Sequence, residues 1–452
     1  MAEAPSAPPD PAAIMRSRQF VVLLVLAAIV GVVAAFAAWV FLEAVHEAQD
    51  AVWTDLPDAL GFDHVPLWWG LPVLFLAGVV VAFAIARLPG HGGHIPAKGL
   101  NAEPTQPIDL PGVILAAVAG IGLGAVVGPE APLIALGGGL GYFAIRRLRA
   151  DAPLELQSLV AACGTFAAVS FLFGSPLIAA VLLIEAAGIA GRRLPLVLIL
   201  GLLAAGIGTL VEIGMGSWTG VNTSDISLQL LQLPDFPRPD IVDFLWTIPF
   251  AAAIAIGTVV IFRLGRITER IASPRPFLAL PVIGLVVAGL AIVFTETTDK
   301  GVDQVLFSGQ DALGPLTANA ATWSLSALAL LLVFKGLAYG LSVGSFRGGP
   351  TFPAMFLGAA AGVMASHLAG FDLTPAVAVG LGAGTVAVLR LPLSAVVLAT
   401  VLTGQSGVGA EPLIIVGVVV AYLVANLIDP RAEEPKAEAM PPQPEATPAQ
   451  AP

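Results

Sequence analysis

Two segments could bind or gate a small ion. Gly128-Pro129-Glu130-Ala131-Pro132 recurs as Gly349-Pro350-Thr351-Phe352-Pro353, and the match continues from Leu136-Gly137 to Leu357-Gly358 and from Gly141 to Gly362. Each copy of G-P-x-x-P-x-x-x-L-G-x-x-x-G opens an apolar run. A glycine and proline just before a helix leave backbone N–H groups free at its first turn, and the helix dipole adds partial positive charge there. Two such starts converging would bind an anion by partial charges alone, loosely enough to release it. Glu130 lies in the first copy. A carboxylate there can stand in for the anion and block the site; protonated or displaced, it opens it. As alternatives, the glycines and prolines serve packing and punctuation, and Glu130 is a structural cap. The duplication and the cost of an acid among apolar residues favour function.

The surroundings set these motifs in a membrane. Of 452 residues, 57% are hydrophobic and 11% charged, with mean hydropathy +0.91, whereas soluble chains carry about 25% charged residues. Apolar segments fall near 20–45, 66–88, 111–128, 131–148, 155–173, 176–190, 194–213, 241–263, 277–294, 322–341, 352–368, 374–389, 392–404 and 411–428. Several are too short to cross about 30 Å of hydrocarbon. The pattern predicts an all-α polytopic membrane protein with many tilted and partly spanning helices, without the strand pattern of a barrel. Its inverted halves are expected at about 20–213 and 241–428, within a membrane domain over 19–428. Gly164-Thr165 before Pro176-Leu177, and Gly384-Thr385 before Pro392-Leu393, form a second repeated element; each proline suits a first helical position.

Arginines cluster at Arg146/Arg147/Arg149, Arg192/Arg193 and Arg263/Arg266/Arg270/Arg275, while the loop Gly214–Pro237 has no Lys or Arg. The positive-inside tendency makes the clusters cytoplasmic and that loop external. Residues 1–18, ending in Arg16 and Arg18, are expected to be a cytoplasmic tail, and the Pro/Ala/Glu-rich stretch 429–452 a disordered cytoplasmic tail. Phe20–Leu42 is too long for a signal-peptide core. The net charge of −11 lies largely in loops and tails and says little about partners. The single cysteine, Cys163, excludes an intrachain disulfide.

Gly90-His91-Gly92-Gly93-His94-Ile95-Pro96 is a Gly-rich bend of the kind that turns amides toward anions. His91 and His94 lack the Cys or carboxylate that would complete a zinc set. Lys335, within an apolar run, snorkels, is paired, or lines an anion pathway. The chain has no catalytic nucleophile–base constellation and no G-x-x-x-x-G-K-[ST], which argues against an enzyme and against an ATP-driven pump.

These motifs resemble those of the CLC chloride channel and transporter family. Gly128–Pro132 is similar to its G-[KR]-E-G-P segment, Gly92-Gly93-His94-Ile95-Pro96 to G-S-G-I-P, and Gly349–Pro353 to G-x-F-x-P. Phe173-Gly174-Ser175-Pro176-Leu177 resembles the stretch opening the next helix. The order holds across about residues 20–428. The resemblance implies a CLC-like inverted-repeat fold, a homodimer in the lipid bilayer, one anion pathway per subunit and Glu130 as the gate. It suggests Gly93, His94, Glu130, Ala131, Thr351 and Phe352 as anion-binding positions. The family's anion-contacting serine falls on Gly93, and no tyrosine follows Tyr422 to supply its central one. Pro129 and Pro350 lack N–H groups. An inner glutamate of proton-exchanging members falls on Ala186, next to Glu185.

The expected function is a CLC-type chloride (anion) channel, voltage-gated in the family's manner and gated by Glu130, with a proton–chloride antiporter as the alternative. An inverted-repeat transporter of an organic solute and a degenerate structural protein are more distant. No cofactor, metal or nucleic-acid partner is expected. The expected location is the plasma (inner) membrane, with both termini cytoplasmic.

Overall fold

The computed structural model describes residues 15–100, 105–188, 194–219 and 227–430. The predicted tails outside 15–430, the Arg192/Arg193 pair and part of the Gly214–Pro237 loop lie outside the described residues. Among the described residues, fifteen α-helices of nine or more residues carry the fold: α1 (Arg18–Asp50), α2 (Gly70–Arg87), α3 (Leu110–Gly122), α4 (Glu130–Leu148), α5 (Leu154–Phe173), α6 (Pro176–Ala186), α7 (Leu194–Thr219), α8 (Ile241–Ala272), α9 (Pro276–Thr298), α10 (Gln310–Ala318), α11 (Leu325–Ser345), α12 (Thr351–Ala365), α13 (Leu373–Leu389), α14 (Pro392–Thr403) and α15 (Glu411–Ile428). Every apolar segment of the sequence forms one of them. The addition is α10, whose Gln310-Asp311 start is too polar to read as a membrane element.

Among the described residues, eight helical stretches are long and apolar enough to cross a bilayer. Others stop short. At 11 residues α6 reaches about 17 Å, roughly half the hydrocarbon thickness. Proline opens α6 and α14, and Ser175 caps α6 by accepting from the Ile178 N–H at 3.4 Å. Gly174, in the left-handed region at φ 58°, ends α5. At the other extreme, α8 runs on to Ala272, through Arg263, Arg266 and Arg270; its start is fixed by a reciprocal Asp240–Asp243 capping box and its later turns are anchored. Arg266 donates both terminal nitrogens to Asp429, at 2.9 and 3.0 Å. Asp429, the first residue of the expected tail, is thus tied to α8.

The most extensive helix packing pairs α4 with α5 and α12 with α13. Gly137 lies on the backbone of Gly164, and Gly358 on that of Gly380. A side-chain carbon at any of these four would strike the facing backbone, so the second part of the repeated motif is a pair of close crossings. This sets the register between the repeats. Gly164 and Gly380 each precede their helix-opening proline by twelve residues. Gly380, one helical turn before Gly384, is thus the packing counterpart of Gly164; Gly384 instead abuts the Ala354 carbonyl.

Lys335 proves to be structural. Its side chain is fully buried, and Nζ donates to the carbonyls of Gln304, Val305, Leu306 and Phe307 at 3.0–3.3 Å. It also lies 4.6 Å from the Phe356 ring centroid. The ammonium gathers a loop whose Phe307 N–H donates to Gly124 at 3.1 Å, just before the first repeated motif. Both snorkelling and a pathway role give way to this pairing. Lys335→Met should destabilise the fold: even two orphaned buried carbonyls cost about 2–6 kcal/mol, offset in part by relief of charge burial. A melting temperature of the detergent-solubilised variant several degrees below wild type is the expected result; an unchanged one would refute the tether.

Candidate functional site

The two repeated motifs meet head to head. Gly128 and Gly349 form an isolated antiparallel bridge, with Gly128 N–H donating to the Gly349 carbonyl at 2.7 Å and the reverse bond also made. From this bridge α4 and α12 each begin at the next residue but one, capped by Pro129 and Pro350. Proline suits these places because its missing N–H would have been an orphan donor in any case.

Glu130, at the first position of α4, is only 2% exposed. Its Oε1 accepts a hydrogen bond from the Thr351 N–H at the start of α12. The amides of Glu130 itself and of Phe352 also act on this carboxylate. The acid of one repeat therefore occupies the helix start of the other. Its second oxygen, Oε2, and the Thr351 hydroxyl make no hydrogen bond of standard geometry among the described residues, though the Thr351 side chain also acts on the carboxylate. The glycines of the motif explain the fit: a Cβ on Gly349 would overlap the Glu130 carboxyl group, and one on Gly128 would strike Oε2. Phe352 stacks on Phe173 at 5.6 Å with planes 6° apart, which joins the α12 start to the end of α5.

The proposed anion-binding positions divide between two sides of this junction. Glu130, Thr351 and Phe352 form the carboxylate side. Gly93, His94 and Ala131 line a separate small cavity against the start of α4. Gly93 has φ 96°, and its N–H donates to the Gly90 carbonyl at 2.8 Å, so that amide is already used within its own turn. The His94 ring bonds the Gly99 carbonyl at 2.9 Å.

Three further groups support the junction and were not singled out from sequence. The Tyr339 hydroxyl donates to the Pro350 carbonyl. Ser342 Oγ accepts from the Val126 N–H at 3.2 Å. Arg347, 7% exposed, lines the cavity beside Gly93. A signal for Arg347 existed: between Leu325 and Ala365 the sequence has two charged residues, Lys335 and Arg347, and ionisable groups at such depth are candidates by default. Glu185 sits at the far end of α6, away from the junction. Its carboxylate accepts from the N–H groups of Leu393 and Ser394, at 3.0 and 2.7 Å, and from the Ser394 hydroxyl at 2.6 Å. It caps the start of α14, as a hydrogen-bonded structural acid does.

Among the described residues, no cluster of three or more His, Cys, Asp or Glu side chains is arranged to hold a metal ion. The geometry is that of two facing helix starts bridged by a carboxylate.

Comparison with known proteins places this geometry in a family. The chain is 30% identical over 348 residues to "Putative ion-transport protein YfeO" of Escherichia coli (strain 55989 / EAEC), a match spanning 76% of this chain and 78% of that protein. The same figures hold for the protein of that name from Shigella boydii serotype 4. Among solved structures, a slow cyanobacterial Cl−/H+ antiporter superposes with TM-score 0.73 at 20% identity, over 90% of this chain and 94% of that one. A CLC-type fluoride/proton antiporter gives TM-score 0.67 at 18% identity, over 90% and 96% of the two chains. At these identities the structures establish the fold. The sequence pattern of the family described as voltage gated chloride channel covers residues 77–426, and the chain belongs to that family, the CLC ion-transport proteins.

Proposed function

We propose that this protein is a chloride (anion) channel of CLC type, in which Glu130 gates a pathway between the α4 and α12 starts. The observation that carries the reading is the bond from the Thr351 N–H to Glu130 Oε1: the carboxylate takes the donors that an anion would use. A hydrogen bond to a charged group is worth about 1.5–3 kcal/mol. Exchanging a carboxylate for chloride at the same amides is therefore a small net change, as a reversible gate requires. Protonation removes the charge that these amides and the helix dipole favour. Oε2, which makes no hydrogen bond of standard geometry among the described residues, is the oxygen open to a proton.

The rest of the reading follows the family resemblance: a homodimer, two inverted halves of about 20–213 and 241–428, and both termini on the cytoplasmic side. The antiporter alternative draws support from the retained Glu130 and from the two antiporter structures of the same fold. Against it stands Ala186, which cannot carry a proton. The adjacent Glu185 is engaged with α14 and is not free to relay one.

Two measurements on proteoliposomes test this. Anion flux should rise as pH falls, because protonated Glu130 releases the amides. Glu130→Gln should abolish that pH dependence while keeping or raising the flux; an unchanged pH profile would exclude Glu130 as the gate. In the second, a chloride gradient imposed on the wild type should drive no sustained uphill proton movement. Proton pumping that Glu130→Gln abolishes would replace the channel with the antiporter.

A further inference from the structure

Arg347 is a buried cation whose bonding is incomplete. It lies between α11 and α12, and its Nε donates to the His91 carbonyl at 3.4 Å. Nη1 donates to the carbonyls of Ser345 and Phe346 at 3.3 and 3.4 Å. All three bonds are long, and Nη2 takes part in none of them. Guanidinium offers five N–H donors and stays protonated in proteins. Among the described residues, no carboxylate lies within ion-pair distance of it. The acid whose charge reaches it is Glu269, and that carboxylate is paired with Lys98 at 3.1 Å. Glu130 is committed to the Thr351 N–H.

Arg347 also lines the cavity of about 40 Å³ shared with Gly93, His94, Ala131 and Gly348. Ala131 is the second residue of α4, so its N–H is one of the donors a helix start cannot satisfy internally. A full positive charge and a helix N-terminus thus border one small buried space. A buried cation with only long bonds to carbonyls is poorly compensated, and the space has room for a small ion or a few waters. A small monovalent anion is the occupant that would answer the charge.

We propose that Arg347 is a direct anion ligand: it holds a chloride-sized anion in this cavity, between its Nη2 edge and the α4 start, next to the Glu130 gate. The proposal rests on the anion-pathway reading above and makes its selectivity depend on a formal charge as well as on amides. With Gly93 in place of a hydroxyl-bearing residue, the guanidinium supplies the donor that the Gly-rich bend lacks.

The test is a structure of the wild-type protein in bromide, with anomalous scattering, alongside chloride titration calorimetry of purified wild type, Arg347→Gln and Arg347→Lys. The expected result is a bromide peak in contact with the Arg347 guanidinium, chloride affinity reduced about tenfold or more in Arg347→Gln, and partial retention in Arg347→Lys. Bromide absent from this cavity, or Arg347→Gln binding chloride as wild type does, overturns the proposal. If Arg347→Gln does not fold, the wild-type bromide map decides. The gate reading fails on a different result, an unchanged pH profile in Glu130→Gln flux, so the two are separable.

Discussion

Opposed helix starts inside a membrane are an unstable arrangement unless something answers their amides, and much of this structure serves that need. Each start leaves unpaired N–H groups, and hydrocarbon supplies no water to bond them. The Gly128–Gly349 bridge satisfies one pair. Glu130 answers the next, and its negative charge sits where the dipoles of both α4 and α12 favour it. An acid elsewhere in lipid would lack such donors; here the amides at the helix starts supply them.

The close approach has steric conditions. Gly128 and Gly349 make room for the carboxyl group, and Gly137/Gly164 and Gly358/Gly380 let each motif helix press against its neighbour's backbone. Side-chain volume is removed along both crossings, so the positions of α4 and α12 are fixed by backbone contact, which tolerates little sliding. Lys335 holds the loop 304–307 in place. The junction is thus held by backbone contact, and Glu130 bridges it through its side chain.

How much of this was legible beforehand depended on the range of each interaction. The helix starts, the short helices and Glu130 were readable because proline, glycine and hydropathy act locally and because the motif occurs twice. The family resemblance rested on the same local patterns. What escaped was decided at long range. Glu185 bonds residues 208 and 209 positions away, and nothing near it in sequence marks Leu393 and Ser394 as its partners. Gly384 shares its Gly-Thr pair with Gly164, yet contact selects Gly380, a turn earlier. Lys335 reads as a lone charge in an apolar run until the fold brings four carbonyls to it. Arg347 was overlooked because it sits at a helix end, where a cation needs no special explanation.

The bond partners of the first motif carry a consequence for how the chain is made. Gly128 is answered by Gly349, Glu130 by Thr351, the Val126 amide by Ser342 and the Gly124 carbonyl by Phe307. All four partners are translated well over a hundred residues later. While the ribosome is still adding α9, the first motif is already complete as sequence yet has none of these bonds. Lipid offers it no substitute, so α4 must remain in contact with water or the insertion machinery until α11 and α12 emerge. Integration of the early helices is therefore provisional, and the late ones make it permanent.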